Sequence, residues 1–284
     1  MHFTELPICG SPGAIARGGH PGQHEAIFAG EAARCPWDWA LSRALLCNIP
    51  IQWAEVSDVL IEVRDLSFRY PDGAEALRDV SFVLRRSETV AILGANGSGK
   101  TTFLNHLVGL LRGSGSVSVC GMPAEGSNLA EIRRRVGMLF QDSDDQIFMP
   151  TVEDDVAFGP LNLGLDEAAV RERVDRCLRQ VGLNGQRTKP PHHLSAGERR
   201  RAALAGVLAT EPEILLLDEP ATFLDPPAKR GLVETLRSLP QSKVLVTHEI
   251  GLAAALADRA VFFENGHITA EGSVEDLANR FDWR

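Results

Sequence analysis

Gly94-Ala95-Asn96-Gly97-Ser98-Gly99-Lys100-Thr101 fits G-x-x-x-x-G-K-[ST] at every fixed position. Glu88-Thr89-Val90-Ala91-Ile92-Leu93 precedes it, an apolar and partly β-branched run that reads as a buried strand. Phe103, Leu104, Leu107, Val108 and Leu111 follow at helical spacing. Strand, glycine loop and helix form the context in which this motif holds phosphate. Gly94, Gly97 and Gly99 carry no Cβ, so the backbone can bend tightly and bring several N–H groups to one anion. The start of the following helix adds a positive pole. Lys100 supplies a mobile charge for terminal phosphates, and the Thr101 hydroxyl suits Mg²⁺.

The chain has 284 residues, enough for one large domain or a domain with an attachment. With 44% hydrophobic and 24% charged residues it has the composition of a globular protein. A net charge of −9 argues against nonspecific nucleic-acid binding, which needs a basic footprint. No apolar run reaches the roughly 18 residues that span a bilayer, and the first residues lack the pattern of a signal peptide. Cys9, Cys35, Cys47, Cys120 and Cys177 contain no CxxC pair, which favours reduced thiols over a disulfide framework.

Residues 1–57 read as an extension, irregular or upstream of the true start, with the working protein expected to begin near residue 56. Gly10-Ser11-Pro12-Gly13 and Gly18-Gly19-His20-Pro21-Gly22 break regular structure, and Ala40 to Cys47 fits a short helix. Pro21 and Gly22 argue against His20 and His24 forming a helical metal pair.

From residue 58 the pattern becomes regular. Asp58 to Arg64 and Asp79 to Leu84 alternate like antiparallel strands. Tyr70 ends the first, either as an edge-strand tyrosine or as a ring for a flat heterocycle. Ser116 to Cys120 and Val136 to Gln141 are further strands, with a basic surface helix between them. An acidic region follows, with Asp144, Asp145, Asp154 and Asp155 around Phe148-Met149-Pro150, and Thr151 caps a helix with Asp154 three residues on. Asp166 to Val181 is amphipathic and closes on Gly182. Leu194-Ser195-Ala196-Gly197-Glu198 opens another helix with Ser195 as its cap, a feature that taken alone is only capping. Ile214-Leu215-Leu216-Leu217 reads as a strand buried on both faces, and it closes on Asp218-Glu219 where open α/β sheets bind ligands. Two carboxylates there favour a metal or proton role. Lys243 to Thr247 is another core strand, ending at His248, and Ala260 to Ala270 forms a hairpin across Glu264-Asn265-Gly266.

Taken together these motifs resemble the nucleotide-binding subunits of ABC transporters over residues 58–284. Gly94–Thr101 is similar to Walker A, Gln141 to the Q-loop, Leu194–Glu198 to the signature and Ile214–Glu219 to Walker B; His248 matches the switch histidine. The resemblance implies an α/β fold: a P-loop NTPase, RecA-like core with an antiparallel β subdomain and an α-helical signature subdomain at about 141–210. It implies ATP and Mg²⁺ as cofactors. Tyr70, Gly94, Ala95, Asn96, Gly97, Ser98, Gly99, Lys100, Thr101 and Thr102 are then expected at the nucleotide, with Ser195, Gly197 and Glu198 reaching it from a second protomer. Thr101, Gln141 and Asp218 are expected to hold Mg²⁺, and Glu219, His248 and Gln141 to carry hydrolysis. Phe140 to Phe148, Thr151 to Pro160 and Pro190 to Ser195 are similar to the cobalt and nickel branch of the energy-coupling-factor importers. Ala196 and Glu198 stand where the common signature has glycine and glutamine, and Ala221-Thr222-Phe223-Leu224-Asp225 departs from the usual D-loop.

The implied partners are a second ATPase subunit, identical or paralogous, and transmembrane transporter subunits, with this chain peripheral on the cytoplasmic face of the membrane. Rival readings are a soluble non-transport ABC ATPase, a P-loop kinase or GTPase, and an ATP-dependent regulatory module. The signature and His248 argue against the kinase, and a single cassette without a long coiled coil argues against repair and translation factors.

Overall fold

The computed structural model describes residues 58–142 and 146–283. The expected N-terminal extension, its His20 and His24, and Asp144 and Asp145 lie outside them. A small sheet has the order β2-β1-β4-β5, with β1 Val59–Arg69, β2 Glu75–Arg85, β4 Ser114–Val119 and β5 Met122–Pro123, all antiparallel. A large sheet has the order β10-β9-β3-β8-β7-β6. Its strands are β3 Thr89–Leu93, β6 Val136–Leu139, β7 Ile214–Asp218, β8 Ser242–Val246, β9 Arg259–Glu264 and β10 His267–Gly272. Only the β9–β10 pair, the expected hairpin, is antiparallel there.

Period-two alternation explains why the aliphatic runs are strands buried on both faces. Along β7, Ile214 and Leu216 enter one core cluster while Leu215 and Leu217 enter another. Along β3, Val90 and Ile92 face the first cluster, and Ala91 and Leu93 face a third. Helix α1, Lys100–Leu107, lies between the sheets, its Phe103, Leu104 and Leu107 packed with Leu77 and Val80 of the small sheet and Leu216 of the large one. The apolar spacing through Leu111 extended this helix too far. Gly109 turns to φ +65, its N–H bonds His106 O, and the chain leaves the helix with Leu110 exposed.

The basic helix before β6 is α2, Asn128–Arg135. The other face of the sheet carries α3 Val152–Asn162, α4 Glu167–Gln180 and α5 Ala196–Leu208. Val156, Val174, Cys177, Leu178 and Leu204 join Leu215 and Leu217 in one core, so the predicted stripe of α4 is the packed one. Thr151 and Asp166 cap α3 and α4 as their sequences indicate. No described helix is long and apolar enough to cross a membrane.

The parallel register sets the site. Ile92 pairs with Val246, and Val246 with Asp218, so β3, β8 and β7 finish side by side. The Gly94–Lys100 loop, His248 and the Asp218-Glu219 pair therefore leave the sheet at one edge, where open α/β sheets place ligands.

Candidate nucleotide site

A cleft of about 460 Å³ opens at that edge. Asn96, Gly97, Gly99, Lys100, Thr101 and Thr102 form one wall; Gln141, Asp218 and Glu219 form another, and Tyr70 closes an end. The loop can follow its course only with glycine at two positions. A Cβ on Gly94 would lie 2.2 Å from Phe263 O, and one on Gly99 would lie 2.4 Å from Ala76 O. Both residues also have positive φ, +139 and +105. The β9–β10 turn braces the loop from outside, Gly266 N donating to Ser98 O at 3.1 Å.

Lys100 is 6% exposed, and its Nζ donates to Gly94 O at 2.7 Å and Ala95 O at 2.8 Å. Burial lowers the pKa of this ammonium, while Glu219 and Asp218 favour its charge. Thr101 Oγ1 donates to Asp218 Oδ2 at 2.8 Å, so residues 117 apart in sequence meet. Burial raises the Asp218 pKa above the ordinary carboxylate range, against the Thr101 hydrogen bond. Asp218 Oδ1 is buried with no hydrogen-bond partner. An orphaned carboxylate oxygen beside a hydroxyl is a hard oxygen donor set, which fits Mg²⁺.

Glu219 follows at φ 46, a left-handed backbone that a glutamate adopts only when its surroundings hold it there. Its N–H donates to Val246 O at 2.9 Å. Oε2 lies 2.8 Å from His248 Nδ1, and Oε1 is buried without a partner. The strand ends thus join the two residues, His248 remaining half exposed while Glu219 is buried. Tyr70 donates or accepts a 3.0 Å hydrogen bond with Thr102 Oγ1, and its ring stands edge-on to Phe68 at 4.9 Å.

Ser195, Gly197 and Glu198 are not among the residues lining this cleft. Ser195 Oγ accepts from Glu198 N, and the Glu198 carboxylate accepts from Ser195 N and Oγ, a complete capping box. Glutamate in place of the common glutamine therefore serves the cap, and these bonds hold its pKa below the usual range. In the acidic region, Asp155 accepts from Phe148 N and Met149 N, and Asp154 is bonded to Thr151. Phe148, Phe158 and Leu161 are exposed large apolar residues of this stretch.

Sequence reading missed Arg200. It is 2% exposed and donates to Phe140 O, to Gln141 O at 2.7 Å and to Glu219 O at 3.0 Å. Arg199-Arg200-Arg201 reads as a solvated basic run. The available signal was spacing, because Arg200 stands four and eight residues before the buried Leu204 and Leu208.

The family described as ABC transporter matches residues 77–222. The energy-coupling factor transporter ATP-binding protein EcfA1 of Methanospirillum hungatei is 45% identical over 228 residues, covering 78% of this chain and 82% of its own length. The solved structure of cbiO1 from Clostridium perfringens, described as part of the ABC transporter complex cbiONQ, superposes with a TM-score of 0.72 at 34% identity, over 79% of this chain and 92% of that one. A dimeric ATP-binding cassette in a post-hydrolysis state bound to ADP and Pi gives a TM-score of 0.69 at 27% identity, over 76% and 99%. A glycine cradle, a buried lysine and two consecutive carboxylates at one strand end, found in a chain with these relatives, have one reading: the protein belongs to the ABC transporter ATP-binding family and is an ABC-type ATPase.

Proposed function

We propose that residues 58–284 form the nucleotide-binding domain of a membrane importer of the energy-coupling-factor type, with cobalt or nickel ions as its cargo. The cargo reading rests on the sequence around Gln141–Pro160 and on the similarity to a subunit described as part of cbiONQ. The names of the relatives favour transport over a soluble, non-transport ATPase. One observation carries the catalytic reading: Lys100, Thr101, Asp218, Glu219 and, through Glu219, His248 gather at a single sheet edge from three separate segments.

In this reading Tyr70, at one end of the cleft, stacks on adenine. Lys100 and the amides of residues 94–102 neutralise the β- and γ-phosphates. Thr101, Gln141 and Asp218 hold Mg²⁺, which when bound offsets phosphate charge and aligns the phosphates. Glu219 polarises the attacking water and takes up its proton as the new P–O bond forms and ADP leaves. His248 orients Glu219 and meets the γ-phosphate as charge develops there.

The site is half a site. Because Ser195 and Gly197 stand outside the cleft, they cap a nucleotide bound by a second ATPase subunit, identical or paralogous, in a head-to-tail pair. The relative seen as a dimer with ADP and Pi supports this arrangement. ATP closes the pair to the extent that it binds the closed form better. The helical segment, about 141–210, passes that closure to a transmembrane subunit through Phe148, Phe158 and Leu161, with the protein peripheral on the cytoplasmic face.

Glu219→Gln tests the reading. Phosphate release should fall by about 10²-fold or more while Mg·ATP binding persists, the scale of lost base catalysis. Near-parental turnover in that variant would remove Glu219 from the mechanism.

A further inference from the structure

Arg200 is the largest fully buried side chain among the described residues, and it is a cation. A buried guanidinium is tolerated only where its donors are met. Here it donates to three main-chain carbonyls, from residues 60, 59 and 19 positions away. They belong to two segments of the cleft. Phe140 and Gln141 follow β6, and Glu219 follows β7. The donor comes from a third element, the first turns of α5, five residues after the Ser195 cap. One planar fork therefore joins the helix that presents Ser195, the Gln141 segment and the backbone of Glu219.

The Glu219 end of this link is the informative one. Glu219 holds φ 46, and two bonds fix its main chain beside the carboxylate: N–H to Val246 O, and the carbonyl to Arg200 Nη2. Thr222 N also donates to that carbonyl, at 3.2 Å. The Arg200 bond is the one that reaches outside the 218–225 turn and into the helical segment. Remove it, and the peptide after Glu219 can relax toward an ordinary conformation and carry the carboxylate off line.

We propose that Arg200 is a positioning residue for hydrolysis: it locks the Glu219 backbone to the Gln141 segment, so that the carboxylate is in register only while residues 140–141 are seated against α5. This rests on the reading of Glu219 as the group that polarises water. It goes beyond that reading by naming what sets Glu219 and by making turnover depend on the seating of the helical segment. Lysine cannot substitute, because a single ammonium lacks the spread of donors that meets carbonyls on two segments at once.

The test uses the full-length chain, with phosphate release, Mg·ATP binding and thermal melting measured on Arg200→Lys, Arg200→Met and Arg200→Ala. Arg200→Lys should lose about tenfold or more in kcat with KM for ATP within about threefold, the signature of an interaction that acts at the transition state. Added guanidinium ion should restore part of the Arg200→Ala rate and leave the parent unchanged, since it refills the same planar donor set. Arg200→Met reports the loss of all donors, and Arg200→Lys decides the matter if Met or Ala prevents folding. Turnover per folded molecule equal to the parent in Arg200→Lys, or a loss confined to melting temperature or KM, overturns the proposal. Glu219→Gln runs beside them. If it stays active, the reading of Glu219 fails and this inference with it. If it is inactive while Arg200→Lys turns over normally, only the role of Arg200 falls.

Discussion

The cleft and the signature turn are built on opposite plans. In the cleft, groups meet over long stretches of chain: Thr101 with Asp218, Glu219 with His248, Gln141 and Glu219 with Arg200. Several of its polar atoms, Asp218 Oδ1, Glu219 Oε1 and Ser98 Oγ, are buried without a partner. In the signature turn the side chains of Ser195 and Glu198 bond to each other and to each other's backbone, and the capping box leaves both satisfied. Unsatisfied buried atoms are costly and mark a place built for something else to enter. A satisfied cap on the surface needs nothing further from its own chain. The contrast fits a protein whose cleft waits for ligand and whose signature waits for another molecule's ligand.

The largest effect should come from breaking the cleft. Lys100→Ala removes the one buried ammonium there, and phosphate release should fall by about 10³-fold, at the upper end for loss of a single stabilising charge, with Mg·ATP affinity falling too. Ser195→Ala tests the other side. Loss of the cap should cost about 1 kcal/mol in a melting experiment, yet turnover should fall far more than stability, with ATP binding to the lone protomer kept. The sharper form is a mixture of the two inactive variants, if the partner is an identical subunit. A mixed pair has one site with both defects and one with neither, so equal mixing should restore about a quarter of parental activity by pairing statistics. No recovery would mean that the signature turn does not serve a second protomer of this chain.

A smaller effect is expected beside Asp225. Phe223 is 88% exposed and holds φ +64, where the usual D-loop has glycine. The left-handed region costs a side-chain-bearing residue about 1–2 kcal/mol, part of which glycine returns as unfolded-state entropy. Phe223→Gly should therefore raise the unfolding free energy by a fraction of that, about 0.5–1 kcal/mol in denaturant titration.

The same contrast explains what could be read from the sequence. The P-loop, the Ser195 cap and the strand at Ile214–Leu217 were legible because each is a local pattern: glycines at fixed offsets, a cap and its N3 residue, an unbroken aliphatic run. The placement of Asp218, Glu219 and His248 at one edge was legible too, because parallel strands end on the same side. Long-range bonds of ordinary side chains were not. Nothing local distinguishes Arg200 from Arg199 and Arg201, and nothing in Asn265-Gly266 announces that its turn braces Ser98. Composition records the charge of Asp154 and Asp155 but not its partners: Asp155 accepts from Phe148 N and Met149 N, and Asp154 accepts from the Thr151 hydroxyl. Helix α1 was drawn too long because Val108 is still buried after the helix has ended, so apolar spacing outlasts helical geometry.

The smallest predicted effect separates the two regions by acidity. His106 is buried on α1, its ring edge-on to Phe68 at 4.8 Å. Nδ1 lies 2.7 Å from Thr102 O, and Nε2 is buried with no hydrogen-bond partner. Burial lowers its pKa, against the pull of the Thr102 carbonyl. The folded state therefore prefers the neutral ring. The unfolded chain takes up its proton near pH 6.5, so this contribution is complete above about that pH and is lost as the pH falls through the lower folded value. The melting temperature of the parent should start to decline below about pH 6.5, before most carboxylates titrate. In His106→Gln the melting temperature should be lower at pH 7 but change less between about pH 7 and 5, because no proton is taken up there on unfolding. Thr102 also bonds Tyr70, so protonating His106 disturbs the Tyr70 end of the cleft first, and Mg·ATP should lessen the decline by favouring the neutral, intact form. The Ser195 side chain bonds to Glu198, a carboxylate, and not to a histidine, so Ser195→Ala should leave the shape of this profile between about pH 7 and 5 unchanged. Equal slopes in the parent and His106→Gln would place the acid sensitivity elsewhere.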